Sequence, residues 1–267
     1  MPAHSVPTHA ATRPFSVPGL RAAETWVLMQ GGQRLSPVDS PAVKLLEGRH
    51  VAVVASAEQL RAANVFAQAA QALGARVAHI TPADLGLADT DSAADAARLL
   101  GRLYAAVGCA GLDRPSQELL MLHCGVPVLH DLAGPTHASR LLADVMTLKQ
   151  AWAAAPASPV AAHPVAPLRL GLHGAPRSAL LRAWRRWAAE VGVELLDLSA
   201  SDAAARRAGC DFVCRPGPPA ELLALSWNRS SGPRHGGPEE TSLLERQLSN
   251  HVVVVQALLQ QALGSRR

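Results

Sequence analysis

From residue 51 onward, short apolar runs alternate with longer amphipathic stretches, and no other feature of this chain narrows its fold so far. That alternation is the pattern of parallel strands joined by crossover helices. Strands are expected at 51–55, 76–80, 105–109, 126–130, 168–173, 193–198 and 211–214, and helices at 57–73, 92–103, 115–123, 138–152, 178–191 and 243–263. Gly74 and Gly192 stand where a helix end needs a left-handed residue. Asp91 or Ser92 is placed to cap the second helix, and Pro115 to open the third. The expected architecture is α/β: two doubly wound parallel-sheet domains joined by a linker, with the C-terminal helix returning to the first domain.

The linker is the stretch 153–167, four prolines among Ala, Ser and Val, which cannot sustain a helix. It divides a first domain at 19–152 from a second at 168–242, with a disordered tail at 1–18 and the final helix at 243–267. The loop 231–238, rich in Gly and Pro, is expected to be mobile. Hydrophobic residues make up 49% of the chain, enough for a sizeable core, while an aromatic content of 3% argues against an all-β sandwich. The net charge of +4 comes mostly from arginines scattered among acids, so no nucleic-acid surface is expected. No apolar run approaches the ~18 residues of a membrane span. Cys109, Cys124, Cys210 and Cys214 lack paired C-x-x-C spacing and read as reduced core residues of a cytoplasmic protein.

Local words carry more than the alternation does. Leu46-Glu-Gly-Arg-His-Val-Ala-Val-Val, Phe66 followed by Leu73-Gly74-Ala75, and Asp91-Ser92 leading to Asp95-Ala-Ala-Arg98 resemble the first domain of aspartate and ornithine carbamoyltransferases. Val126-Pro-Val-Leu-His-Asp-Leu, through His137-Ala-Ser-Arg140 to Ala143-Asp144-Val-Met-Thr147, is similar to that family's VPVINGL…HPxQ-x-LAD-x-xT block. Asn250-His-Val-Val-Val-Val-Gln256-Ala-Leu-Leu259 is similar to its closing ENRxxxxQxALL helix. The resemblance covers about 43–152 well, 168–215 loosely and 243–263 acceptably, and leans slightly to the ornithine branch.

It implies a reaction that works by positioning and electrostatics: a doubly charged phosphate is held, a carbamoyl carbonyl polarised and an amino-acid amine presented, with no cofactor and no metal. The family's S-T-R-T turn, a phosphate site at a helix N-terminus, aligns with Gln59, Leu60, Arg61 and Ala62, so Gln59 and Arg61 are the expected phosphate-binding positions. A second family Arg falls on Ala110. The H-P-x-Q word becomes His137, Ala138, Ser139 and Arg140, which makes His137 and Arg140 the expected catalytic pair, one helical turn apart. The family's H-C-L-P segment has no match near 225–233, where Ser226-Trp-Asn-Arg229 stands instead. Losing two hydroxyl donors and an arginine costs on the order of 5 kcal/mol, more than about a thousandfold in binding or rate.

Two functions follow. In one, the chain is an ornithine carbamoyltransferase-like protein with an eroded carbamoyl-phosphate site, weakly active or inactive, retained in a homotrimer or as the hetero-oligomeric partner of an active relative. In the other, it transfers a carbamoyl or related acyl group from an acyl phosphate to an amino-acid amine, with Arg140 supplying the cation lost at Ala110. Two further patterns are read as accident: the spacing of His123, His130 and His137 unites no helical face for a metal. Gly171-Leu-His-Gly174 lacks the third glycine and ribose-binding acid of a dinucleotide site, and a tight turn before a helix accounts for its glycines.

Overall fold

The computed structural model describes residues 44–87, 89–130, 137–154, 167–173, 179–198, 209–216, 223–228 and 240–264; the side chain of Arg61 is not among the described parts. The expected tail, most of the linker, the loop 231–238 and Gly174 lie outside them. Contacts divide the chain into two units, the first built on 40–133 and the end of the last helix from Leu258, the second on 134–257.

In the first unit, β1 (His50–Ala55) runs through a short 3-10 turn into α1 (Leu60–Ala72), followed by β2 (Arg76–Ile80). Then come α2 (Thr90–Leu103), β3 (Ala106–Ala110), α3 (Arg114–His123) and β4 (Val128–Leu129). All four strands are parallel in the order β2-β1-β3-β4, with Val51 facing Val77 on one side and Ala106 on the other. Every residue of β3 and the last five of β1 are buried, as expected of central strands covered on both faces. Ala52, Val54, Val107 and Cys109 form a core with Leu100 of α2 and Leu120 of α3. The helices close in tightly there: a Cβ on Gly101 would stand 1.6 Å from the Cys124 carbonyl oxygen.

The capping signals mostly hold. Gly74 closes α1 with φ of 91°, its amide donating to Gln71 O at 2.8 Å, and Pro115 stands in the first turn of α3, whose cap, Asp113, was not foreseen and accepts from Ser116 N at 3.0 Å. Helix α2, however, starts two residues earlier than expected. Ala93 N donates to Asp89 O at 2.9 Å, so Asp89 and not Asp91 or Ser92 is the cap. Ser92 lies inside the first turn with its hydroxyl against Gly86, 2.6 Å from where a Cβ would stand.

The second unit holds α4 (Ala138–Ala153), β5 (Leu168–Leu172), α5 (Ala179–Trp187), β6 (Val193–Asp197) and β7 (Phe212–Pro216). Strands β8 (Leu223–Asn228) and β9 (Glu240–Ser242) precede α6 (Leu244–Gly264). Its sheet runs β6-β5-β7-β8-β9. Strands β6, β5 and β7 are parallel; β8 and β9 are antiparallel additions that the sequence reading did not name. Helix α4 is tied to this sheet by aromatics: Trp152 stacks on Trp227 at 5.9 Å and tilts onto Phe212 at 6.3 Å, and Phe212 meets Trp227 edge-on at 4.6 Å. Gly171 lies within β5, where a Cβ would meet Leu198 and Cys210 at 2.6 and 2.7 Å; close packing, not a turn, requires that glycine. Helix α6 belongs to the second unit up to Ala257 and to the first from Leu258 on. No helix among the described residues is long and apolar enough to cross a membrane.

Candidate functional site

In a doubly wound sheet, ligands collect outside the carboxyl ends of the strands, where the strand order reverses. In the first unit this point falls between β1 and β3. Gln59 and Arg61 sit there by backbone position, at the start of α1 directly after β1. Gln59 is the residue before the helix and makes no side-chain cap. Its half-buried side chain reaches the loop after β3: a Cβ on Gly111, which has φ of 68°, would stand 2.3 Å from Gln59 Cγ. Leu60 beside it is 38% exposed, an apolar side chain where the family turn carries a hydroxyl. Ala110 ends β3 and is fully buried.

His137 and Arg140 lie in the second unit, at the first turn of α4. His137 is the helix cap and is buried; its Nδ1 accepts from Ser139 N at 3.2 Å and lies 2.7 Å from Ser139 Oγ. Ser139 Oγ lies 2.8 Å from His251 Nε2, which α6 supplies. Arg140 is half-buried, and its charge reaches both His251 and Asp144. The structure thus joins His137 and Arg140 on one helix turn, while Gln59 and Arg61 belong to the other unit.

Around this pair the two helices are linked by buried polar groups that the sequence reading passed over. Gln247 donates to Asp144 Oδ1 at 2.8 Å and accepts from Leu225 N at 2.9 Å. Asn250 donates to Thr147 Oγ1 and Gln150 Oε1, each at 2.9 Å. Burial pushes the Asp144 carboxyl up to about 7, against the opposing pull of Gln247, Arg140 and the Trp184 indole. Burial pushes His251 down to about 3, with Arg140, and His137 whenever that ring is protonated, acting in the same direction. Their signal lay in the word Asn250-His251, which is legible as a helix signature but not as a set of partners for α4.

All four cysteines are free and buried, and burial raises the thiols of Cys109, Cys124 (to about 11) and Cys214, which makes them poor nucleophiles. No group of three metal-ligating side chains occurs among the described residues. A surface depression of about 580 Å³ lies over β6, lined among others by Arg185, Glu194 and Asp197, and includes none of the four expected residues.

Two doubly wound α/β units, with a helix N-terminus at the first switch point and a capping histidine opening α4, define the carbamoyltransferase class of architecture. The family described as aspartate/ornithine carbamoyltransferase, carbamoyl-P binding domain, matches residues 15–150. The chain belongs to the aspartate/ornithine carbamoyltransferase family. It is 38% identical over 104 residues to the ornithine carbamoyltransferase of Ignicoccus hospitalis, covering 39% of this chain and 33% of that protein. It is 35% identical over 102 residues to a catabolic ornithine carbamoyltransferase of Burkholderia pseudomallei, covering 38% and 30%. The matched stretch therefore spans about a third of those relatives. Among solved structures, the fold is similar to ornithine carbamoyltransferase from Pyrococcus furiosus (TM-score 0.65, 17% identity, 97% of this chain and 99% of that one). It is also similar to the catalytic subunit of M. jannaschii aspartate transcarbamoylase (TM-score 0.67, 14% identity, 95% and 98%).

Proposed function

We propose that this chain is an ornithine carbamoyltransferase-like protein whose carbamoyl-phosphate site is eroded, leaving it weakly active or inactive. The observation that carries this reading is the start of α1, where Gln59-Leu60-Arg61-Ala62 offers one cation and no hydroxyl at the family's phosphate turn. With Ala110 in place of the second arginine, the loss is on the order of 5 kcal/mol, more than about a thousandfold. Gln59 and Arg61 retain the phosphate-binding role in reduced form, and His137 and Arg140 address the carbamoyl group. Such a chain serves as a cytoplasmic binding or assembly partner, in a homotrimer or beside an active relative.

A second reading, active transfer of a carbamoyl or related acyl group to an amino-acid amine, draws support from Arg140, a cation in the same turn as His137. Calorimetric titration with carbamoyl phosphate separates the two. The eroded site gives no saturation up to millimolar ligand. Saturation abolished by either Arg61→Ala or Arg140→Ala supports a working anion site, on which the active reading depends.

A further inference from the structure

Ser139 stands between two imidazoles, and the direction of each hydrogen bond follows from one group that has no choice. A backbone N–H can only donate, so the Ser139 amide aimed at His137 Nδ1 at 3.2 Å requires a lone pair on that nitrogen. Ser139 Oγ, 2.7 Å from the same lone pair, must then give its hydroxyl proton to it. Having donated, the oxygen accepts from its other neighbour, so His251 Nε2, 2.8 Å away, carries a proton. The chain runs one way: His251 Nε2–H to Ser139 Oγ–H to His137 Nδ1. It leaves the proton of neutral His137 on Nε2.

We propose that Ser139 and His251 are positioning residues that fix neutral His137 as its Nε2–H tautomer, so that this ring meets a carbamoyl or related acyl carbonyl as a hydrogen-bond donor. The second half rests on the role given to His137 under Proposed function; the first stands on the geometry alone. All three side chains are buried, and Ser139 is fully so. Its hydroxyl is therefore held by the two rings and not by solvent, so the outer ring orients the hydroxyl that, together with the Ser139 amide, holds the tautomer. The device belongs to this chain's own residues: the matching position of the ENR word is an arginine, and a guanidinium would end the relay in a fixed cation where His251 supplies a neutral donor.

The test is long-range ¹H–¹⁵N correlation of the histidine rings in the full chain. The expected result is a proton on Nε2 and none on Nδ1 for both His137 and His251. Ser139→Ala should move the His137 Nδ1 resonance toward that of a weakly hydrogen-bonded nitrogen, and Ser139→Thr, which keeps the hydroxyl, should restore it. His251→Gln keeps an N–H donor and should leave His137 close to the native spectrum, whereas His251→Leu should not. A proton on His137 Nδ1, or a His137 spectrum indifferent to Ser139→Ala, would overturn the relay. Millimolar carbamoyl phosphate tests the other half: a shift at His137 Nε2 supports the donor role. No shift at His137 where the same ligand moves the backbone amides of Gln59 and Arg61 overturns that role and leaves the relay standing; no shift at either place is the result of a lost phosphate site and overturns the donor role together with it.

Discussion

At the scale of single residues, Asp144 is a carboxyl whose ionisation is opposed by its burial. Its carboxyl ionises near 3.8 when exposed and near 7 in the folded chain, so the folded state binds its proton more tightly. The resulting stabilisation is complete below pH 4 and is lost as pH rises through 7, at about 1.4 kcal/mol per unit. Asp144→Asn keeps an acceptor for Gln247 and removes the ionisation. Urea unfolding should find the variant more stable than the parent at pH 8, by up to about 4 kcal/mol, and nearly unchanged at pH 4. Gly101 gives a second residue-scale case. Replacing a helical glycine by alanine ordinarily stabilises by about 1 kcal/mol. Here the new Cβ would fall on the Cys124 carbonyl oxygen, so Gly101→Ala should instead destabilise by roughly 1–3 kcal/mol, readable as a lowered Tm.

At the scale of elements, the pairing of α4 with α6 is the feature on which the candidate site depends. Ser139 with His251, Asp144 with Gln247, and Thr147 and Gln150 with Asn250 replace what apolar contacts would supply, and each buried partner is costly to leave alone. Asn250→Ala should lose roughly 1–3 kcal/mol in equilibrium unfolding. The two titrating groups oppose each other. His251 is depressed from 6.5 to about 3, so its share of stability is present above 6.5 and is lost as pH falls. Asp144 gains over nearly the same interval, so the pair contributes little slope between about pH 4 and 6.5. Asp144→Asn should expose the histidine slope, an acid sensitivity of about 1.4 kcal/mol per unit below pH 6.5. A variant whose stability stayed flat there would argue against the buried, neutral His251. Elsewhere, element ends followed local chemistry where a cap or glycine was decisive, as at Gly74 and Asp113. At α2 the cap is Asp89, ahead of the Asp91 or Ser92 expected.

At the scale of the molecule, the assembly proposed above has a direct check. Light scattering should give a mass near three times 27.9 kDa for the chain alone, and a strict monomer would leave only the partnership with an active relative. The parallel core of each unit was legible in the sequence, because a buried strand and a crossover helix differ in apolar period wherever they occur. Strands β8 and β9 were not, since short alternating runs such as Leu223 to Asn228 acquire their meaning from the neighbours they pair with. The same distinction divides the site. The positions of Gln59 and Arg61 after β1, and of His137 and Arg140 at the start of α4, follow from local words that also carry the family resemblance. The outer partner does not: Ser139 stands in the same word as His137, but His251 is 112 residues from Ser139. Only the packing of α6 against α4 brings them within hydrogen-bond distance. A sequence by itself determines which backbone groups begin a helix and which residue types stand there, because those are short-range matters. The Ser139 amide that meets His137 Nδ1 is likewise local, but the ring that orients the Ser139 hydroxyl comes from α6, and only the tertiary structure delivers it.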